Sequence, residues 1–219
     1  MANDPDLHFL RLFPLQAVVL FPGMELPLSV FEPRYLQLTR ECTDNDEPFG
    51  VLLLKGGREV GMNNSDPFEI GTTAHITKVS DTAGGRLSIT AIGRHRFKVH
   101  SFIRDNPYLA AQVEFLEDAS HQMVDPSLID NVKWDAETFV RQLVASRGGY
   151  VRDLSFPDDP VALSCQVAQI FHGDAGVQQK LLEQPTFDRL WDELELLKDA
   201  RRKMRDQGRR GLGNSFSAN

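Results

Sequence analysis

The segment from residue 18 to residue 35, VVLFPGMELPLSVFEPRY, most constrains the fold because it is apolar and yet repeatedly broken by proline. Proline has no backbone N–H to donate to a neighbouring strand, so it is confined to turns, strand edges and the first turns of helices. We therefore expect Pro22 to end one strand, Pro27 to restrict the next to an edge, and Pro33 to begin a helix. Such corners are what a small sheet needs to close on itself. A membrane span is excluded, because the prolines and Glu25 fall within the length that a span requires.

Short apolar runs and alternating patterns fill residues 8–117 and predict strands. The runs Leu10–Phe13, Val18–Phe21 and Leu26–Phe31 are bounded by proline, whereas Phe49–Leu54 is a continuous apolar run typical of a buried strand. Gly84 and Gly85 lie between two alternating segments and predict a hairpin. Several short strands joined by tight turns indicate a barrel or a sandwich.

From residue 125 the apolar period changes to that of helices. Asp-Pro pairs at 125–126 and 159–160, Asp174 and Thr186 are each placed to begin a helix. The prediction is an α+β chain with a β subdomain over residues 1–118, a helical bundle over 119–207 and a disordered tail over 208–219. The tail is the second part of a run, residues 200–219, with six basic residues and one acidic residue. It is interpreted as a vestige, a self-contact or a segment that docks a partner.

Composition favours a soluble protein of a reducing compartment. Hydrophobic residues make up 41% of the chain, and the net charge of −7 argues against a surface built for nucleic acid. Cys42 and Cys165 are far apart and lack the spacing of a metal site or a disulfide framework. The N-terminus carries aspartates where a signal peptide would be basic. We therefore expect a cytoplasmic protein without membrane contact.

No catalytic or cofactor motif emerges from the sequence. There is no G-x-x-x-x-G-K-[ST] loop and no G-x-S-x-G elbow, and the histidines show no metal-ligand spacing. The glycines of KGGREVG, residues 55–61, predict a turn, because no helix follows them as a phosphate-binding loop requires. We expect no enzyme activity, no metal and no cofactor, and a small enzyme with an unrecognised site is the third alternative.

Four segments together resemble the N-terminal domain of the ATP-dependent protease Lon. They read FPLQAVVLFPGMELPLSVFEPRY, FGVLLLKGGREVG, GTTAHI and GRLSITAIGRHRFKV, and VQQKLLEQPTFDRLWDELELL resembles the end of the same domain. The resemblance spans Phe9 to Leu197. It implies a PUA-like β pseudo-barrel followed by a helical bundle, and a role in recognising protein substrates. Because the chain stops at Asn219 without a P-loop, the resemblance is to a stand-alone form without the ATPase and protease modules.

We predict a peptide-binding site on the β subdomain. A free sheet edge near Pro22 and Pro27, flanked by apolar side chains, would suit an extended polypeptide. The residues expected to contact it are Phe21, Met24, Phe31, Arg34, Tyr35 and Glu59. The partners would be unfolded or extended polypeptides, with self-association as a further possibility and an adaptor or regulator of proteolysis as the role.

An RNA-binding module is the alternative reading. Arg94, Arg96 and Lys98 alternate along one predicted strand and would place three cations on one face, as in nucleic-acid patches. The same pattern is also typical of a solvated strand face, which the negative net charge favours.

Overall fold

The computed structural model describes residues 6–56, 66–105, 107–118 and 124–215, with side chains described as far as residue 206. The described residues form two compact units, one of residues 1–118 and 171–183 and the other of residues 119–170 and 184–219. Strands occupy the first part of the chain together with one helix, and the other helices follow. One of these later helices packs against the strands. The predicted α+β class is confirmed.

The described residues of the first unit form six strands and two helices. The strands are β1 (His8–Leu15), β2 (Glu25–Val30), β3 (Phe49–Leu53), β4 (Ile70–Thr82), β5 (Arg86–Ile103) and β6 (Ala110–Leu116). One helix is α1 (Pro33–Asn45), which begins at a proline as predicted. The other is α4 (Ala175–Glu183), which comes from the helical part of the sequence.

The sheet closes into a barrel because β5 is long enough to serve two neighbours in succession. The strand order is β2-β5-β4-β3-β1-β6, and β6 also pairs with β5. The first part of β5 pairs with β2 and the second part with β6, so the ring β5-β4-β3-β1-β6 is complete. The interior holds two clusters of buried apolar side chains, one under α1 and one nearer β6.

Helix α4 belongs with the barrel, although its sequence places it among the bundle helices. Gln179 donates from Nε2 to the Ile70 carbonyl oxygen at 3.1 Å, and Arg96 donates from Nη1 to the Leu182 carbonyl oxygen at 2.7 Å. Leu181 and Leu182 are buried. These contacts attach α4 to β4 and β5, and periodicity alone cannot show which neighbour an amphipathic helix covers.

The second unit is a bundle of α2 (Pro126–Ser146), α3 (Pro160–Ala168) and α5 (Thr186–Ser215), with a 3₁₀ turn, Gln169–Phe171, after α3. Asp125 and Asp159 cap the first two helices through their side chains, as their positions before proline predicted. Helix α5 runs past residue 208, where the disordered tail was expected to begin. Among the described residues, no helix is long and apolar enough to cross a membrane.

Candidate functional site

One side of the barrel is open near the start of α1. β6 pairs with the β1 residues His8–Arg11 only, so the end of β1 pairs with β3 alone. In the described part of the chain, β2 pairs with β5 and no strand lies on its other edge. The end of β1 and the outer edge of β2 therefore border a gap in the sheet.

The backbone polar groups of β2 alternate between β5 and this gap. Gly93 of β5 donates its N–H to the Met24 carbonyl oxygen at 2.9 Å, and the register continues with Leu26 opposite Ala91. Because alternate residues of an antiparallel pair point both polar groups at the partner, Leu26 and its even-numbered neighbours face β5. Glu25, Pro27 and Ser29 then face the gap, and Pro27 is tolerated there because its missing N–H is not needed by the ladder.

A mainly apolar cleft of about 180 Å³ lies at this gap. It is lined by the residues Phe13, Pro14, Leu15, Gln16, Leu28, Ser29, Val30, Phe31, Glu32 and Tyr35. The Phe31 side chain is 60% exposed at the rim, with the Arg86 guanidinium 5.8 Å from its ring centre. An engineered apolar cavity of about 150 Å³ holds benzene, so the cleft has room for one large apolar side chain.

The first turn of α1 forms one wall of the cleft. Tyr35 is buried and stacks on Phe13, with ring centres 4.1 Å apart. Arg34 lies 4.5 Å from the centre of the Tyr35 ring and donates two bonds to the Glu32 carboxylate, at 2.9 Å from Nε and 2.8 Å from Nη2. The wall is therefore held in place by stacking and by an ion pair before any ligand arrives.

The structure separates the six residues predicted for the peptide site. Phe31 and Tyr35 line the cleft, and Arg34 packs on Tyr35 beside it. Phe21 is fully buried, so a peptide cannot reach its side chain, and Met24 is half-buried against the barrel core. Glu59 lies outside the described residues, as do the neighbouring glycines 57 and 61.

Sequence reasoning missed most of the lining. Phe13, Leu15 and Leu28 read as ordinary core positions of strands, and nothing in their alternation marks them as neighbours of a gap. The signal that could have found them is the pair Pro14 and Pro27, because a proline within a strand predicts an unpaired edge.

The predicted cationic strand face does not exist as proposed. Arg94 and Lys98 are exposed, but Arg96 is 4% exposed and is bound by the Asp118 carboxylate, at 3.1 Å from Nε and 2.6 Å from Nη2. The register of β4 and β5 shifts at this point, where Arg94 and His95 together oppose Thr73. Such a bulge changes the direction of the side chains that follow it, which turns Arg96 toward α4.

A second polar cluster joins β1, α1 and the segment before β6. Arg11 donates from Nε to Glu41 at 3.0 Å and to the Tyr108 hydroxyl at 3.1 Å, and that hydroxyl donates to Glu41. The hydrogen bond from Tyr108 lowers the pKa of Glu41, and burial raises the pKa of Tyr108. Neither group is poised to exchange a proton near neutral pH, so the cluster ties elements together and offers no acid–base chemistry. No group of acidic, histidine and cysteine residues in the described segments is arranged to hold a metal ion.

Comparison with known proteins gives a consistent result. The family model described as the ATP-dependent protease La (LON) substrate-binding domain matches residues 10–199. The Lon protease of Anaeromyxobacter dehalogenans is 27% identical over 145 residues, which are 66% of this chain, and that of Methylocella silvestris is 25% identical over 82% of it. The chain spans only 17% and 22% of the length of these two relatives.

Solved structures agree with the family match. The Lon N-terminal domain protein from Xanthomonas campestris superposes with a TM-score of 0.65 at 27% identity, covering 86% of this chain and 98% of that one. The N-terminal domain of a Mycobacterium avium complex Lon protease has a TM-score of 0.66 at 17% identity over 88% of this chain and shares the fold. The chain therefore belongs to the family of Lon substrate-binding domains.

Proposed function

We propose that this protein binds extended, non-native polypeptide segments at the cleft of its barrel unit, and that it acts by binding without catalysis. The observation that carries the proposal is the gap between β1 and β2, where an apolar cleft adjoins a strand edge with no partner among the described residues. Membership of a substrate-binding family supports protein as the ligand class.

The binding mode follows from the two kinds of surface at the gap. The outward backbone groups of Glu25 and Ser29 can exchange hydrogen bonds with an extended segment, as in strand addition. The cleft beside them accepts one apolar side chain of that segment, in contact with Phe31. The backbone contacts are independent of sequence, whereas the cleft selects chains that expose apolar residues, as unfolded proteins do.

This activity would suit an adaptor or regulator that delivers proteins for proteolysis. The family model that matches the chain is described as a substrate-binding domain, which supports recognition of proteins as the role. We expect the purified chain neither to hydrolyse ATP nor to cleave a bound polypeptide. Turnover that persists at constant specific activity through further purification would contradict this part of the proposal.

The test is a fluorescence-anisotropy titration of labelled, permanently unfolded α-lactalbumin, reduced and carboxymethylated. We expect weak binding by the wild type, with a dissociation constant on the order of micromolar, as for small transient interfaces. Phe31→Asp should weaken binding about tenfold or more without loss of stability, because this ring is mostly exposed. Tyr150→Asp, at an 81% exposed aromatic residue of the other unit, is the matched control and should bind like the wild type.

Strand addition is tested by a second pair of variants. Ser29→Pro removes an N–H that faces the gap, so it should weaken binding and leave the β2–β5 ladder intact. Leu28→Pro removes an N–H that faces β5 and should destabilise the fold instead. Wild-type affinity in both Phe31→Asp and Ser29→Pro would refute the site, and absence of binding by the wild type would refute the function.

A further inference from the structure

The gap beside β2 carries opposite charges at its two ends. Glu25, at the start of β2, and Arg86, at the start of β5, are exposed, and in the described part of the chain neither belongs to an ion pair. The Arg86 guanidinium lies 5.8 Å from the centre of the Phe31 ring, at the rim of the cleft. Glu25 and Phe31 are separated by about 20 Å of extended chain, so the two charges lie at the ends of one bound segment of about seven residues.

Both charges lie on the same face of the sheet. The register of β2 and β5 pairs Val30 with Leu87, so the next residues, Phe31 and Arg86, lie opposite each other. Directly opposed residues share a face, and so do alternate residues of one strand, which places Glu25 on the face of Phe31. Val30 lies on the other face and lines the cleft. A segment added beside β2 therefore has alternate side chains next to the charges and the others toward the cleft.

The neighbouring charges leave this difference between the two ends in place. Glu32 also lines the cleft, but the Arg34 guanidinium binds its carboxylate at 2.8 Å, so this pair adds no net charge. Arg94 and Lys78 are exposed cations on β5 and β4, which lie one and two strands further from the gap than β2. A segment beside β2 therefore meets a cation at the cleft end and the carboxylate of Glu25 at the other end.

The backbone groups at the gap favour one direction of the bound segment. β1 and β2 run in opposite directions, because β1 is parallel to β3 and the pairs β3–β4, β4–β5 and β5–β2 are antiparallel. Leu12 donates its N–H to the Leu109 carbonyl oxygen, so Pro14, two residues later, faces the gap and offers only an acceptor there. Glu25 and Ser29 of β2 each offer a donor and an acceptor. A segment antiparallel to β2 uses these groups in the more stable kind of pairing.

We propose that the gap selects polypeptide segments by the order of their charges: an acidic residue, then an apolar residue for the cleft, then a basic residue, from the N-terminus to the C-terminus of the segment. The inference rests on the proposed function and specifies its ligand. A segment antiparallel to β2 begins at the Phe31 end, so its acidic side chain meets Arg86 and its basic side chain meets Glu25. Opposite charges across a strand pair are favourable and like charges are unfavourable, so the reverse order binds less tightly.

Two fluorescent peptides of this length, capped at both ends, test the order by anisotropy titration. One has glutamate first, phenylalanine in the centre, lysine last and threonine elsewhere, and the other has glutamate and lysine exchanged. At about 0.1 M salt, the wild type should bind the glutamate-first peptide about fivefold or more tightly, because two charge pairs change sign between the peptides. At about 1 M salt the difference should fall below about twofold.

Exchanging the two charges of the protein should exchange the preference. The variant that combines Glu25→Arg with Arg86→Glu keeps the net charge and should prefer the lysine-first peptide. Arg152→Glu with Asp153→Arg exchanges two exposed charges of the other unit and is the matched control, which should bind as the wild type does.

The outcomes separate this inference from the proposed function. Equal binding of both peptides by the wild type, or the same preference in the exchanged variant, would overturn selection by charge order. Preference of the wild type for the lysine-first peptide would overturn the antiparallel direction. Binding of unfolded α-lactalbumin without binding of either peptide would overturn this inference alone, whereas failure to bind unfolded α-lactalbumin would overturn the proposed function as well.

Discussion

Arg96 offers the sharpest test of how the barrel is held together. It is a nearly buried cation that joins β5 to Asp118 through two hydrogen bonds and to the Leu182 carbonyl oxygen of α4 through a third. Asp118 is itself only 12% exposed. Replacing Arg96 by methionine keeps most of the side-chain volume and removes all three bonds.

The expected loss of stability is large because the carboxylate of Asp118 loses this cation. Breaking a buried ion pair by removing one partner costs about 3–5 kcal/mol, mostly as the penalty of a buried charge without its counter-ion. For a chain of this size that corresponds to a fall in melting temperature of roughly 6–20 °C. Arg96→Met combined with Asp118→Leu removes both charges and should recover about 2 kcal/mol or more of that loss.

Urea unfolding of the wild type, both single variants and the double variant measures the coupling free energy directly. Arg94→Met is the matched control, because Arg94 is an exposed cation two positions away on the same strand, and its replacement should change stability by less than about 0.5 kcal/mol. Additive single-variant effects, or equal effects of Arg94→Met and Arg96→Met, would refute the view that the buried pair stabilises the barrel.

Three further predictions concern backbone packing, thiol reactivity and pH. Gly93→Ala should destabilise the barrel by about 1–3 kcal/mol in urea unfolding, because its methyl group would collide with the Phe21 carbonyl oxygen; Gly176→Ala, in α4, should be neutral or slightly stabilising. Burial raises the pKa of Cys42 to about 12, so this thiol should react with a thiol reagent only at the rate of unfolding, and rapid labelling of Cys42 in the native state would contradict this. Burial also raises the pKa of Glu193 well above its usual range, although the charge of Arg189 acts in the opposite direction. The stability that this group contributes is therefore fully present below its unfolded pKa, about 4.3, and is lost as pH rises toward its folded pKa. Glu193→Gln should therefore flatten the fall in unfolding free energy with pH, and an unchanged slope would show that Glu193 is ionised in the folded state.

The sequence predicts those parts of the fold that depend on local chemistry. Pro27 lies in an edge strand and Pro33 begins a helix, as these rules predict, and Pro22 lies in a corner although no strand precedes it. Asp125 and Asp159 are also predicted by a local rule: each precedes a proline, and its side chain accepts a hydrogen bond from a free N–H group of the first helical turn. Such local rules predict correctly where the chemistry of a residue restricts the backbone conformation at its own position.

Features that depend on a distant neighbour were not predictable. Val19, Leu20 and Phe21 are buried as residues of a core strand would be, yet the segment Val18–Phe21 forms no strand. The corner that follows it bonds to Gly93, a neighbour that lies far along the chain. The sequence pattern predicts Arg96 as a surface cation, but in the structure a bulge turns it inward to the carboxylate of Asp118. Around the cleft, the sequence predicted Phe31 and Tyr35, which line it, and Arg34, which packs on Tyr35, but not the strand end of β1 that completes it.

The prolines also explain how the barrel can keep an open strand edge without pairing with other exposed strands. An open strand edge invites pairing with any other exposed edge, including that of a second copy. Pro14 lines the gap from β1, and Pro27 faces it from β2 and offers only an acceptor there, so a long regular ladder cannot form across it. Affinity for an extended segment must then come from a few hydrogen bonds together with one apolar side chain in the cleft. Replacing Pro27 by valine restores the missing donor, and we expect it to increase both affinity for unfolded α-lactalbumin and edge-to-edge association of the chain; a variant unchanged in both would show that the edge does not take part in binding.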